Sequence, residues 1–283
     1  MRLLVATDLD ACLLDHHTYS FDEARPALEA LKARGDPIVL LSSKTLAEVA
    51  PIAAGVGTSA PLVVENGGGV AFPLEFEISP SGAALREGYR LLPLGTPWHA
   101  LREALREIEL TLGVEARGLA DMSNAELAIH TGLTGTPLAA ARAREFSEPF
   151  LLADPGRAGD FERAAEARGL RLLRGGRFWH LTGPTDKGRA LEVVLDAYRS
   201  RGDRFCVVGL GDAPLDLPLL RASDRPIIVP RPDGHPDAVL ASSLPDAECA
   251  TFPGPRGWND AVLTVLRGDR LQAVGLTSGD RPS

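Results

Sequence analysis

Short apolar runs alternate with amphipathic stretches along this chain, and the period of each predicts its element. RLLVAT (2–7), PIVLL (37–41), PLVVENGGG (61–69), RFCVVGLGD (204–212) and RPIIVP (225–230) are brief apolar runs that stop at acidic, glycine-rich or proline-bearing sequence. Buried strands of a parallel sheet read this way. Between them apolar residues recur every three or four positions. Ala24, Ala27, Leu28 and Leu31 make one helical face, closed by Gly35; a second helix is predicted near 45–54; Leu191, Val194, Leu195 and Tyr198 make a third face. PLDLPLL (214–220) predicts a short helix.

The texture changes after residue 80. Thr96-Pro97 predicts an N-cap followed by proline at the first helical position, with Leu101, Leu105, Ile108 and Leu112 as the apolar stripe. Helices at about 123–131 and 136–145, a strand at 149–153 and a helix at 157–168 follow. RLLR–GG–RFWHLTG then predicts a hairpin, with Gly175-Gly176 as a two-residue primed turn. The tail from about 271 has no clear pattern, and no repeat or low-complexity tract is present. The expected architecture is α/β. A Rossmann-like parallel-sheet core of residues 1–80 and 181–283 is interrupted by an inserted α+β cap of residues 81–180. In such a sheet, ligands bind outside the carboxyl ends of the strands.

Composition narrows the classes. The 283 residues are 45% hydrophobic and 24% charged, enough for a packed core. A net charge of −8 disfavours nucleic-acid partners, whose phosphates need clustered cations. No apolar run approaches the roughly 20 residues of a membrane span. The opening MRLLVATDLD meets acid at Asp8, too early for a signal peptide. Cys12, Cys206 and Cys249 are odd in number and widely spaced. They predict neither a disulfide framework nor a zinc site, and a reducing cytoplasm is the expected location.

Four polar clusters fall at predicted strand ends or helix starts: Asp8-Leu9-Asp10, Ser42-Ser43-Lys44, Lys187, and Asp212 with Asp216. Two of the chain's three lysines, Lys44 and Lys187, lie in these clusters. A parallel sheet would turn all four towards one crevice. Carboxylates gathered this closely are unfavourable unless a cation sits among them. An oxygen-only ligand set suits Mg²⁺. Carboxylate, hydroxyl and ammonium groups beside a divalent ion compose a phosphoryl-transfer site. Each cluster alone is ordinary turn or cap sequence; their joint order is what carries the inference.

DLDACLLD, LLSSKT, DKGRAL and GLGDAPLDLPLL resemble the four motifs of the haloacid dehalogenase superfamily of phosphatases. The insertion between ENGG (65–68) and DKG resembles its sugar-phosphatase cap. Within it, TGLTGTPLAAARAREFSEPFLL (131–152) and RGGRFWHLTG (174–183) are similar to the mannosyl-3-phosphoglycerate phosphatase family, with REFSEPF the most discriminating stretch. The resemblance implies roles. Asp8 is the nucleophile and Asp10 the general acid and base. The Asp8 carboxylate, the Asp10 main-chain carbonyl and Asp212 hold Mg²⁺, with Asp216 in its shell; Mn²⁺ or Co²⁺ could serve instead. Ser42 or Ser43 binds a phosphoryl oxygen, and Lys187 neutralises charge. The implied substrate is a small phosphorylated sugar-glycerate, 2-O-mannosyl-3-phosphoglycerate. Arg144 and Arg177 are candidates for its carboxylate, His180 and Asn66 for its hydroxyls. Glu145 and Glu148 are expected to pair with arginines of the insertion.

Two positions depart from the superfamily pattern. The usual Gly-Thr after the second aspartate is Ala11-Cys12, and the usual Asn before the last aspartate is Leu215. Neither replaces a residue given a chemical role. Other classes fit less well. VVGLGDAP fails the dinucleotide fingerprint at Pro214, and neither a P-loop nor a GxSxG elbow occurs. A phospho-accepting signalling module, the non-enzymatic rival, has no comparable insertion. A general sugar-phosphate phosphatase or a phosphomutase of the same superfamily shares the core motifs. The remaining histidines, His16, His17, His99, His130 and His235, show no metal-ligand spacing.

Overall fold

The computed structural model describes residues 2–78, 80–175 and 177–273. In chain order its strands are β1 (Leu3–Asp8), β2 (Ile38–Leu41), β3 (Leu62–Val64), β4 (Gly69–Pro73), β5 (Ala84–Arg86), β6 (Tyr89–Pro93) and β7 (Ala116–Gly118). There follow β8 (Ser147–Leu152), β9 (Arg171–Arg174), β10 (Trp179–Thr182), β11 (Cys206–Gly211), β12 (Arg225–Ile228) and β13 (Glu248–Cys249). Two compact units divide the fold. One takes the residues up to Leu41, Thr58–Ala60 and those from Leu191 on; the other takes Ser42–Gly57 and Pro61–Ala190.

The first unit is a parallel sheet in the order β13-β12-β11-β1-β2. β1 and β11 are uniformly apolar up to their ends and are buried along nearly their whole length, as strands covered on both faces must be. From β1 the chain winds outwards one way through β2, and from β11 the other way through β12 and β13. The strand order therefore reverses between β1 and β11, where sheets of this kind bind ligands. Helix Arg25–Arg34 ends at Gly35, whose φ of 69° needs no Cβ. Helix Gly254–Ala273 packs beside it: Asn259 Oδ1 accepts from the Ala27 amide at 3.0 Å. The fully buried Trp258 donates to Thr7 Oγ1 at 2.9 Å. This last helix lies beyond the elements predicted from the apolar pattern. The patternless tail falls mostly on 274–283, outside the described residues.

The second unit holds two antiparallel sheets, β3-β4-β6-β5 and β7-β8-β10-β9. β8 separates two apolar layers by simple alternation. Phe150 and Leu152 face helices Trp98–Leu112 and Ala158–Glu166, packing with Leu101, Leu105, Ile108 and Phe161. Leu151 faces the other way, onto a cluster of Leu119, Met122, Leu127 and Leu138.

Two local expectations are corrected. Helix Trp98–Leu112 starts one residue later than predicted, with Pro97 at the N-cap and no side-chain cap. Its first free amide is met by Glu145: Trp98 N donates to the Glu145 carbonyl at 2.8 Å, so a hydroxyl cap at Thr96 is not needed. The hairpin register pairs Arg174 with Trp179 and so brings Gly175 level with Phe178, which rules out Gly175-Gly176 as the turn pair. Gly175 N donates to the Phe178 carbonyl at 3.0 Å, which extends the ladder by one pair; Gly176 lies outside the described residues.

Candidate active site

Asp8 is the last residue of β1, and Asp212 follows the last residue of β11. Thr7 is level with Leu210, so the two acids emerge side by side at the reversal of strand order. Asp216 returns to the same place through the turn Pro214–Asp216. Its Oδ2 accepts from the amides of Asp212 and Ala213, both at 3.1 Å. The return requires Gly211, because a Cβ there would lie 2.4 Å from the Asp216 Cβ. That is a physical reason for the second glycine of GLGD. Asp8, Asp212 and Asp216 are all buried, and each offers an oxygen within 4.8 Å of the others. Asp10 is half-buried, two residues beyond Asp8.

The field of this cluster registers on a neighbouring thiol. Burial first, then the negative charges of Asp8, Asp212 and Asp216, push Cys12 well above the ordinary thiol range. Cys12 is fully buried, with Sγ 3.6 Å from Thr7 Oγ1. Ala11 before it has a φ of 58°, the left-handed region that favours glycine. The departure at Ala11-Cys12 is thus accommodated with modest strain and leaves the acids in place. Three buried carboxylate oxygens in one small volume compose a hard-donor set that fits a divalent cation.

The second unit carries Ser42, Ser43, Asn66, Arg144, Arg177, His180 and Lys187. Ser42 is fully buried; its Oγ accepts from the Lys44 amide at 3.1 Å, and its carbonyl accepts from the Asn66 amide at 2.8 Å. Ser43 is half-buried. Lys187 opens helix Lys187–Ser200 and is 3% exposed, far more buried than a solvated lysine. Arg144 donates to the carbonyls of Ser43 at 2.7 Å and Ala141 at 2.9 Å, and lies 3.5 Å from Glu48. Arg177 is exposed and donates to the His130 carbonyl.

Glu65 escaped the sequence reading. It is 2% exposed, and its carboxylate accepts from the amides of Glu145 at 2.8 Å and Phe146 at 3.1 Å and from Ser147 Oγ at 2.5 Å. Burial pushes its carboxyl up; Arg144 and these donors oppose the shift. The ENGG and REFSEPF stretches, 80 residues apart, are thereby one contact. No local signal in either stretch announces it. Glu145 and Glu148 pair with arginines as expected, with Arg86 and Arg102 respectively, each at 3.3 Å.

Among the described residues, no helix is long and apolar enough to cross a membrane. No family model matches the chain. Two curated proteins match it almost end to end. The glucosyl-3-phosphoglycerate/mannosyl-3-phosphoglycerate phosphatase of Persephonella marina is 35% identical over 266 residues, 93% of this chain and 97% of that one. The protein of the same name from Methanococcoides burtonii is 34% identical over 269 residues, covering 94% and 98%. Among solved structures, a haloacid dehalogenase-like hydrolase from Bacteroides thetaiotaomicron superposes with a TM-score of 0.66 at 16% identity, covering 94% of this chain and all of that one. A sugar phosphatase of haloacid dehalogenase subclass IIB gives 0.61 at 12% identity, covering 97% of this chain and all of that one. The chain has the haloacid dehalogenase-like α/β fold and belongs to the glucosyl-3-phosphoglycerate/mannosyl-3-phosphoglycerate phosphatase family.

Proposed function

We propose that this phosphatase hydrolyses 2-O-mannosyl-3-phosphoglycerate to mannosylglycerate and phosphate, through a phosphoryl group carried on Asp8. The observation that supports it most is the meeting of Asp8, Asp212 and Asp216 within 4.8 Å of one another, in a chain of this family. The Asp8 carboxylate attacks phosphorus, and the bond from phosphorus to the glycerate oxygen breaks. Asp10 gives that oxygen a proton, and then takes one from the water that cleaves the aspartyl-phosphate. The Asp8 carboxylate, the Asp10 carbonyl and Asp212 would hold Mg²⁺, or Mn²⁺ or Co²⁺ in its place, with Asp216 in its shell. When bound, the ion neutralises charge on the phosphoryl oxygens.

Ser42, with Ser43 beside it, donates to the phosphoryl group, and Lys187 counters its charge. Chain connectivity supports Ser42: it follows Leu41, the residue level with Asp8 in the pairing of β1 and β2. Residues 81–180 select the substrate. The exposed Arg177 takes the glycerate carboxylate. Arg144, engaged by the Ser43 and Ala141 carbonyls, adds its charge while holding the serine loop. Asn66 and His180 meet hydroxyls. The relatives' names cover both hexose epimers. The test is phosphate release from mannosyl- and glucosyl-3-phosphoglycerate beside simple hexose phosphates, with and without chelator. Metal-dependent release from the glycerate esters alone is expected. Equal release from hexose phosphates would overturn the substrate while keeping the phosphatase.

A further inference from the structure

Among the described residues, five side chains of the second unit have buried polar atoms without a partner: Arg90 and Arg142 at Nε only, their terminal nitrogens being bonded, and three uncharged ones, Asn66 at Nδ2 and Oδ1, Thr182 at Oγ1 and the half-buried His180 at Nδ1. Asn66 is 5% exposed and Thr182 3%. Unmet buried polar groups are rare, and each opposes folding until something pairs with it.

Backbone geometry brings the three to one locality. Thr182 lies opposite Ser147 in the β8–β10 pairing, and His180 opposite Pro149. Paired residues share a face, and residues two apart stay on it. Ser147, Thr182 and His180 therefore share the face of the sheet turned away from helix Trp98–Leu112. Ser147 Oγ donates on that face to Glu65, the residue before Asn66. The turn bearing Asn66 is wedged between the two ends of these strands. A Cβ on Gly67 would lie 2.2 Å from the Asp186 carbonyl oxygen, and one on Gly68 would lie 2.3 Å from Phe146 Cβ. Both Glu65 and Asn66 hold left-handed φ, 49° and 56°. Neither is glycine, so the three contacts made by the Glu65 carboxylate hold a turn the chain would otherwise relax.

We propose that Asn66, Thr182 and His180 form a subsite for vicinal hydroxyls of the hexose, with Glu65 as its positioning residue. This rests on the proposed phosphatase function and deepens it. The donor set is uncharged and works in both directions: an amide donates and accepts, a hydroxyl does both, and a neutral imidazole does one at each nitrogen. Sugar hydroxyls need that; a carboxylate, which only accepts, would call for a cation. Burial, reinforced by the Arg144 charge, holds His180 down to about 3, which keeps the ring neutral in the working range.

The first test is a crystal of the wild-type holoenzyme soaked with mannosylglycerate. Hexose oxygens within hydrogen-bond reach of Asn66, Thr182 and His180 support the subsite. A hexose bound elsewhere, or only water on these atoms, overturns it. The second test uses Thr182→Val and Thr182→Ser, read as the ratio of kcat/KM for the mannosyl substrate to that for p-nitrophenyl phosphate, which has no sugar. The ratio falls about tenfold in Thr182→Val, mostly through KM, and is restored in Thr182→Ser. An unchanged ratio in Thr182→Val overturns the proposal. If the wild type hydrolyses other hexose phosphates but not the glycerate ester, the proposed substrate fails. Calorimetric binding of methyl α-mannoside to wild type and Thr182→Val then decides the subsite separately: equal binding, or none to either, overturns it.

Discussion

Asp8, Asp212 and Asp216 in the first unit and Glu65 and Glu148 in the second are all buried acids, but their surroundings differ in kind. The three aspartates converge until their oxygens lie within 4.8 Å, and their charge reaches Cys12. Each glutamate instead faces a donor set of its own. Glu65 has two amides and a hydroxyl. Glu148, whose side chain is fully buried, accepts from Trp98 Nε1 at 2.5 Å and lies 3.3 Å from Arg102, itself held by Asp121 at 2.6 Å. Burial raises both glutamates, and their donors pull the other way. The glutamates' donors suit a scaffold role, whereas three carboxylates converging at strand ends, with Asp216 held there by two amides, compose a set that fits a divalent cation.

The sharpest break between the two kinds is catalytic. Asp8→Asn should lower phosphate release on the order of 10⁴-fold or more while the far-ultraviolet spectrum stays native. Glu148→Gln should keep turnover within about twofold while losing thermal stability. Activity surviving in the first variant and vanishing in the second would invert the comparison. Next in size is Glu65→Ala, which strands three buried donors and should cost about 2–4 kcal/mol in urea unfolding. Magnesium should stabilise the wild type by about 2.7 kcal/mol at a hundredfold excess over its Kd, and Asp212→Asn should lose most of that increment. No shift of melting temperature with any divalent ion would break the assignment of the aspartates.

Smaller effects sharpen the picture. His180 titrates near 3 in the fold against an ordinary 6.5. The unfolded chain therefore binds the extra proton between those values, so the stability this ring contributes is complete above about pH 6.5 and is lost as the pH falls towards 3. His180→Gln should flatten urea-melt stability over that window, by less than full burial would give because the ring keeps some solvent contact. Smallest is Ala11→Gly. It relieves a left-handed alanine and should raise stability by up to about 1 kcal/mol, read in the same melts.

Much of this protein was legible in the residue pattern. Strands such as Leu3–Asp8 and Cys206–Gly211 were readable because burial on both faces demands unbroken apolar runs. Acids placed where those runs stop are a local signal, so Asp8 and Asp212 could be singled out without coordinates. Helix Gly254–Ala273 was also in reach: Trp258, Val262, Val265 and Leu266 follow helical spacing and are buried. Its sequence carried the signal, though the elements read from the pattern stopped short of it. The hairpin turn was a different case, since Gly175 can begin the turn or end the strand before it, and only the pairing of Arg174 with Trp179 chose between them.

What sequence alone determined, then, is every feature whose cause is local: periodicity, strand ends, the order of the acidic motifs and the family those motifs resemble. Tertiary structure decided which distant groups meet. Nothing near Glu65 announces that its partners are Glu145, Phe146 and Ser147, and nothing near Arg144 announces that its guanidinium holds Ser43. Nor could the unmet atoms of Asn66 and Thr182 be foreseen, because satisfaction of a polar group is a property of everything folded around it. Local sequence fixes what a side chain can offer; chain folding over many tens of residues fixes whether anything is there to accept it.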